Sequence, residues 1–221
     1  MLDELNGDSE LSSAEILHGR PITALVDLIV ESSFDLVMKD ASCDSEDLFM
    51  GSLDFRLMRL STEPVWIVDP DSGNRLERIL VAVDPMVCRE KMRMNEELIR
   101  LSSKLARQES AELHIVAACG VPMSGAETGS VDYQSWFAGP KIAERRVWKN
   151  LRHVTATSLV RIPRDRIHFV RGDASNRILD AADETAADLV VMENPMASNG
   201  WQRTDLTADR LGCCASCIGG G

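Results

Sequence analysis

Residues 19–38, GRPITALVDLIVESSFDLVM, are echoed from residue 172 onward by GDASNRILDAADETAADLVVM, and this internal repeat limits the fold more than any other feature of the chain. Gly19 matches Gly172, Asp27 matches Asp180, and Asp35-Leu36-Val37 matches Asp188-Leu189-Val190, each at a shift of 153 positions. In 221 residues that spacing leaves no room for two complete units ahead of and after the echo. The expectation is the back half of one unit followed by one whole unit.

The pattern between the copies alternates strands with helices. Gly19 and Pro21 open a segment in which Ile22, Leu25, Val26, Ile29 and Val30 recur at helical spacing, with the proline suited to a first turn. Phe34 to Met38 reads as a short buried strand, and Phe49, Leu53, Leu57 and Leu60 mark a second helix. Pro64 ends that helix ahead of a strand at Val65 to Val68. Residues 69–77, DPDSGNRLE, hold turn formers and no apolar period, which makes them the linker. Ile79 to Val83 is a continuous apolar run closed by Asp84, of the kind buried on both faces of a parallel sheet. A helix with Met94, Leu98, Leu101 and Leu105 on one stripe follows. Next come a strand at Leu113 to Ala117, a helix through Ile142, Trp148, Leu151 and Val154, and a strand at Ile167 to Val170. A helix from Ser175 to Ala187 and a strand from Leu189 to Met192 complete the series. Such alternation implies crossover connections and an α/β fold, a parallel sheet with helices on both faces. The expected division is an acidic N-terminal segment (1–14), a partial domain (15–70), a complete domain (77–212) and a Cys/Gly-rich tail (213–221).

The formal net charge is −11, and the basic runs Arg145-Arg146 and Arg161 to Arg166 are broken by acids and apolar residues. Phosphate backbones and anionic membranes need a clustered basic surface, so neither nucleic acid nor membrane is expected as a partner; those runs read as solvated faces. The acidic start MLDELNGDSELSS has no positive region or apolar stretch to act as a secretion signal. No run reaches the length of a spanning helix. A cytoplasmic location follows as the expectation, with the six cysteines held as thiols.

ILVAVD at 79–84, ELHIVAA at 112–118, a strand-Gly-helix junction around 170–172 and DLVVM at 188–192 resemble, in that order, the universal stress protein domain. DLVM at 35–38, then Gly51-Ser52 and PVWIV at 64–68, resembles the back half of the same domain. PVWIV leading through a short linker into RILVAVDP is similar to the tandem, E-type members of that family. The resemblance implies a Rossmann-like, adenine nucleotide α-hydrolase-like architecture with a five-stranded parallel sheet per domain. It also implies a homodimer or pseudo-dimer formed by pairing last strands. An N-terminal unit lacking its leading strands must lean on the second unit or on a partner chain, or stay partly open.

Family members that bind ATP use Gly-x2-Gly-x9-Gly-Ser/Thr after the fourth strand, where glycines let backbone N–H groups approach phosphate at a helix N-terminus. In the first unit the pattern falls on Met38, Ala41, Gly51 and Ser52, so only the last pair survives; in the second it falls on Met192, Pro195, Asp205 and Leu206, and none fits. The nucleotide-binding candidates are therefore Asp84 at the end of the first complete-unit strand, Val116 on the next, and the Gly51-Ser52 pair. ATP is the candidate cofactor on a degenerate motif. Gly51-Ser52 equally reads as a helix start, and Asp84-Pro85 as a turn.

Cys214 and Cys217 form one C-x2-C pair with no second pair or His-x3-His to complete a zinc site, so they are the metal candidates of a last-strand remnant. His114 and His168 lie within expected strands and read as packed or hydrogen-bonded rather than catalytic. Trp136, Phe137 and Trp148 either line an apolar groove or cover the sheet. No Gly-x-Ser-x-Gly elbow or His-Glu-x2-His pair occurs. The resulting expectation is a universal stress-type protein acting by ligand or partner binding and not by catalysis. The alternatives are an ATP-binding, slowly hydrolysing member, and an interaction module that dimerises through open sheet edges.

Overall fold

The computed structural model describes residues 14–32, 34–41, 53–70, 75–84, 89–119, 140–193 and 213–216. In chain order its elements are α1 (Pro21–Glu31), β1 (Val37–Asp40), α2 (Leu53–Leu60), β2 (Val65–Val68), β3 (Arg78–Val83), α3 (Arg89–Glu109) and β4 (Glu112–Cys119). They continue with α4 (Pro140–Thr155), a 3-10 turn (Arg164–Arg166), β5 (Ile167–Arg171), α5 (Ala174–Thr185), β6 (Leu189–Glu193) and β7 (Cys213–Ser216).

Both echoing stretches take one local form. Gly19 (φ +112°) and Gly172 (φ +136°) turn the chain through a region that side chains with a Cβ rarely adopt. In each copy a helix begins two residues later, α1 at Pro21 and α5 at Ala174, and a strand follows, β1 and β6. Local chemistry fixes the ends. Pro21 suits the first turn of α1. Asp173 caps α5 by accepting from the Asn176 N–H at 3.1 Å. The same helix ends at Ala186, which sits left-handed at φ 46° and donates to Asp183 at 3.1 Å.

β3 is an interior strand, between β6 and β4, because its run is apolar on both faces. Ile79, Val81 and Val83 pack with Leu98 and Ile99 of α3 and with Leu151 and Val154 of α4. Leu80 and Ala82 point the other way, onto Ala181 and Ala182 of α5. Period-two alternation therefore feeds two cores, and helices cover both faces of this parallel α/β sheet, as expected. The strand order is β1-β2-β7-β6-β3-β4-β5.

The first unit has its own small core of Ile22, Ile29, Leu57, Val65 and Ile67, built by α1 and α2 on one face of β2. From the opposite face Trp66 packs against the cluster beneath α3 and α4. β1 pairs parallel to β2, β2 parallel to β7, and β7 antiparallel to β6. β1 and β2 thus join the rest of the sheet through the pairing of β2 with β7.

Three details depart from the sequence reading. β1 starts at Val37 rather than Phe34, because its ladder begins where the Val37 N–H meets the Pro64 carbonyl at 2.9 Å, just ahead of a four-residue partner strand. Cys213–Ser216, read as the remnant of a last strand at the head of a tail beyond residue 212, is a strand, β7, but it stands inside the sheet between β2 and β6, where it satisfies the facing edges of both. That strand runs against β6, so β6, β3, β4 and β5 are mutually parallel and β7 is antiparallel to them. Phe49 lies outside the described residues.

Candidate functional site

In an open parallel sheet a ligand crevice forms at the carboxyl ends of two neighbouring strands whose onward connections go opposite ways. From β3 the chain passes through α3 to β4 on one side, whereas β6, the other neighbour of β3, is reached from β5 through α5. The switch point therefore falls between the carboxyl ends of β3 and β6. Asp84 stands there, one residue beyond β3, half-buried.

Its backbone is pinned. Asn95, only 3% exposed on α3, accepts from the Asp84 N–H at 3.1 Å and donates its amide to the Asp84 carbonyl at 2.6 Å. One side chain thereby bonds both main-chain groups just beyond the end of the β3 ladder. Asn95 was missed in the sequence reading. Its signal was a polar residue at helical spacing from Leu98 and Ile99, on the face of α3 that is buried.

The other sequence candidates do not gather around Asp84. Val116 is fully enclosed, opposite Ala82 and His168 in register, within the core beneath α5. Its side chain is a packing residue, because β4 is an interior strand bonded on both edges and covered by α5 on that face. Gly51 and Ser52 lie outside the described residues, as do Pro195, Asp205 and Leu206. Met38 is exposed on β1, and Met192 sits partly buried on β6. Cys214 enters β7 opposite Met192 and Val65, and Cys217 lies outside the described residues. Among the described residues no three His, Cys, Asp or Glu side chains come together as a metal-holding group.

Two pairings bring together residues distant in the chain. His114 Nδ1 and His168 Nε2 are 3.3 Å apart, with the rings 11° from parallel and their centres 5.6 Å apart. The register sets Val116 against His168, so His114 is its diagonal neighbour on the same face, which no spacing in the sequence announces. Burial pushes the His114 pKa down, and the neighbouring His168 adds to the effect; Glu112, 3.6 Å away, pulls the opposite way. At the amino end of the sheet, Asp188 Oδ2 accepts from the Glu77 and Arg78 N–H groups at 2.7 Å each, fastening the linker's end to β6. Asp188 is one of the residues shared by the repeat.

Trp148, of the aromatic trio, meets Phe169 of β5 edge-on at 6.2 Å and 68°. It covers the sheet and at the same time lines a groove, so both readings of it hold. Trp136 and Phe137 lie outside the described residues. Among the described residues no helix is long and apolar enough to cross a membrane.

The model of the universal stress protein family matches residues 75–199, more than half of the chain. Universal stress protein E of Escherichia coli (strain K12) is 29% identical over 119 residues, covering 52% of this chain and 37% of that protein. Universal stress protein E of Salmonella typhi is 30% identical over 108 residues, covering 47% and 34%. The match thus spans about a third of the curated relatives' length. Among solved structures, one assigned to the universal stress proteins from Pseudomonas aeruginosa UCBPP-PA14 superposes with a TM-score of 0.67 at 18% identity, covering 98% of this chain and 76% of that one. A universal stress protein from Archaeoglobus fulgidus DSM 4304 gives 0.50 at 17% identity, covering 88% and 64%. At those identities the structures show the shared Rossmann-like α/β fold. Over the span that carries β3 to β6, with Asp84 at its switch point, sequence and architecture agree: the chain belongs to the universal stress protein family.

Proposed function

We propose that this chain is a stress-response protein that acts by binding a ligand or partner at the carboxyl end of its sheet, and not by catalysis. The observation that carries this is the position of Asp84 at the switch point between β3 and β6, with its backbone held by the buried Asn95. A carboxylate carried on a backbone held in this way is suited to orienting a polar small molecule, since the cost of ordering the main chain beneath it has already been met in the fold. The adenine nucleotide is the first ligand to try, with Asp84 toward the ribose or base. In this reading residues 15–70 are the back half of a second universal stress domain, and the protein works in the cytoplasm.

Calorimetric titration of the chain with ATP and Mg²⁺ at millimolar concentration, alongside a phosphate-release assay, tests the proposal. Saturable heat lost in Asp84→Ala, without phosphate release, supports nucleotide binding at this crevice. Turnover abolished by Asp84→Ala overturns the non-catalytic reading. No heat removes ATP as the ligand.

A second reading, dimerisation through an open edge, is favoured by the repeat itself. Leu36 and Met38 are 41% and 59% exposed, whereas their counterparts Leu189 and Val191 are 1% and 4% exposed beneath α3 and α4. Among the described residues β1 is also the terminal strand of the sheet, and a terminal strand is a template for pairing with another chain. A two-fold β1–β1 contact would cover both. Light scattering across concentration should show a dimer that Met38→Asp dissociates, and a monomer at every concentration counts against it.

A further inference from the structure

A groove of about 570 Å³ opens between α4 and the start of β5, at the amino end of the strands and therefore at the opposite end of the sheet from Asp84. Its apolar floor includes Leu151, Ile162 and Ile167, the first residue of β5. Arg145, Trp148 and Arg152 line it from α4, spaced three and four residues apart and so stacked on one helix face. Arg164, carried by the 3-10 turn, lies over the Trp148 ring with its guanidinium carbon 3.2 Å from the ring centre. Phe169 braces the same indole edge-on.

The charge in this groove is unusual for the molecule. The chain carries −11 overall, yet three arginines line the groove and no acid does among the described residues. The nearby ion pairs are made by other residues: Arg171 binds Glu144, Arg166 binds Glu112 and His153 binds Glu96. Among the described residues none of Arg145, Arg152 and Arg164 has a carboxylate partner. Three uncompensated guanidiniums around an apolar floor repel one another, and an anion between them relieves that repulsion while forming charge-assisted, fork-shaped hydrogen bonds. The Trp148–Arg164 stack adds a flat surface. A planar ring laid on the outer face of the Arg164 guanidinium continues that stack, and Leu151 and Ile162 are placed to take its apolar edge. The volume lies in the range of small-molecule pockets.

We propose that this groove is a binding site for a planar aromatic anion, a ring bearing a phosphate or carboxylate, with Arg145 and Arg152 on the charged group and Trp148–Arg164 on the ring. The site shares no residue with the Asp84 crevice, so the two readings stand or fall separately.

The test is titration of the full chain with 1-naphthyl phosphate, followed by calorimetry and naphthyl fluorescence, with inorganic phosphate and 1-naphthol as half-ligand probes. The expected result is saturable one-to-one binding, tighter than either half-probe and weakened by added salt. Arg145→Ala and Arg152→Ala should each raise Kd by about tenfold, the size of one lost charge-assisted contact. Arg164→Ala should weaken 1-naphthyl phosphate more than inorganic phosphate. Lys149→Ala, an exposed cation on the same helix but outside the groove, should leave Kd unchanged. All four side chains are on the surface, and circular dichroism confirms that each variant folds. Absence of saturable binding overturns the proposal, as does binding that the three arginine substitutions leave intact. Equal affinity for inorganic phosphate overturns the aromatic half of it.

Discussion

Replacing Asn95 probes the physical basis of the Asp84 crevice most directly. Its amide makes bonds of 3.1 and 2.6 Å to the Asp84 N–H and carbonyl, from a position 3% exposed. Asn95→Ala leaves both main-chain groups without this partner at a half-buried point, at about 1–2 kcal/mol each, so the variant should lose about 2–4 kcal/mol. For a chain of this size that corresponds to a fall in Tm of about 4–16 °C. Urea denaturation followed by circular dichroism measures it, with an unchanged m-value showing that stability rather than compactness has moved.

Asn95→Asp sharpens the test. A carboxylate can still accept from the Asp84 N–H, but it has nothing to donate to the Asp84 carbonyl unless it is protonated. The fold therefore favours the protonated acid and raises its pKa above the ordinary carboxylate value of about 4. A raised pKa contributes stability that is present below the unfolded value and is lost as pH rises through the folded one. Relative to the parent at the same pH, Asn95→Asp should be close to neutral near about pH 4 and approach the Asn95→Ala loss near about pH 7. A loss under about 0.5 kcal/mol in Asn95→Ala, the level of an ordinary surface substitution, would falsify the claim that Asn95 anchors the crevice.

Asp188→Ala removes the acceptor of two 2.7 Å bonds to the Glu77 and Arg78 N–H groups. It should cost about 1–3 kcal/mol by urea denaturation, and Asp188→Asn, which keeps an acceptor, about half of that. Ala186 holds a left-handed φ of 46° at the end of α5, so Ala186→Gly should raise stability by about 0.5–1 kcal/mol, whereas a neutral or negative result refutes the strain. Gly172→Ala should destabilise instead, because φ is +136° and an added Cβ would lie 2.8 Å from Arg177 Nε. Burial and His168 lower the His114 pKa, so the contribution of this residue is present above the unfolded value of about 6.5 and is lost as pH falls below it. The urea midpoint should therefore drop between about pH 7.5 and pH 5.5, and His114→Gln should flatten that slope; an unchanged slope rules the histidine out as its source.

The elements were legible because each is written locally. Gly19 and Gly172 were readable as equivalent junctions from the echo alone, and Ile79 to Val83 declared a central strand by being apolar on both faces. Asp84 could be picked out for the same reason, as the acid that closes that run. Asn95 could not, because its role depends on where α3 lies against the end of β3 and not on its neighbours in sequence. Arg145-Arg146 and Arg161 to Arg166 were read as solvated faces, which is what interrupted basic runs usually are. Only folding brings Arg145 and Arg164 to one groove with Trp148 and, among the described residues, leaves them without the carboxylates that Arg166 and Arg171 have.

By itself, then, the sequence determined the family, the alternation of strands and helices, and the identity of the two repeated junctions, because periodicity, glycine conformation and capping act over a few residues. The tertiary structure decided how β1 and β2 attach, through β7 between β2 and β6, since edge satisfaction is a property of the whole sheet. It also decided that Val116 is core and that His114 meets His168, because strand register and burial are set by partners far along the chain.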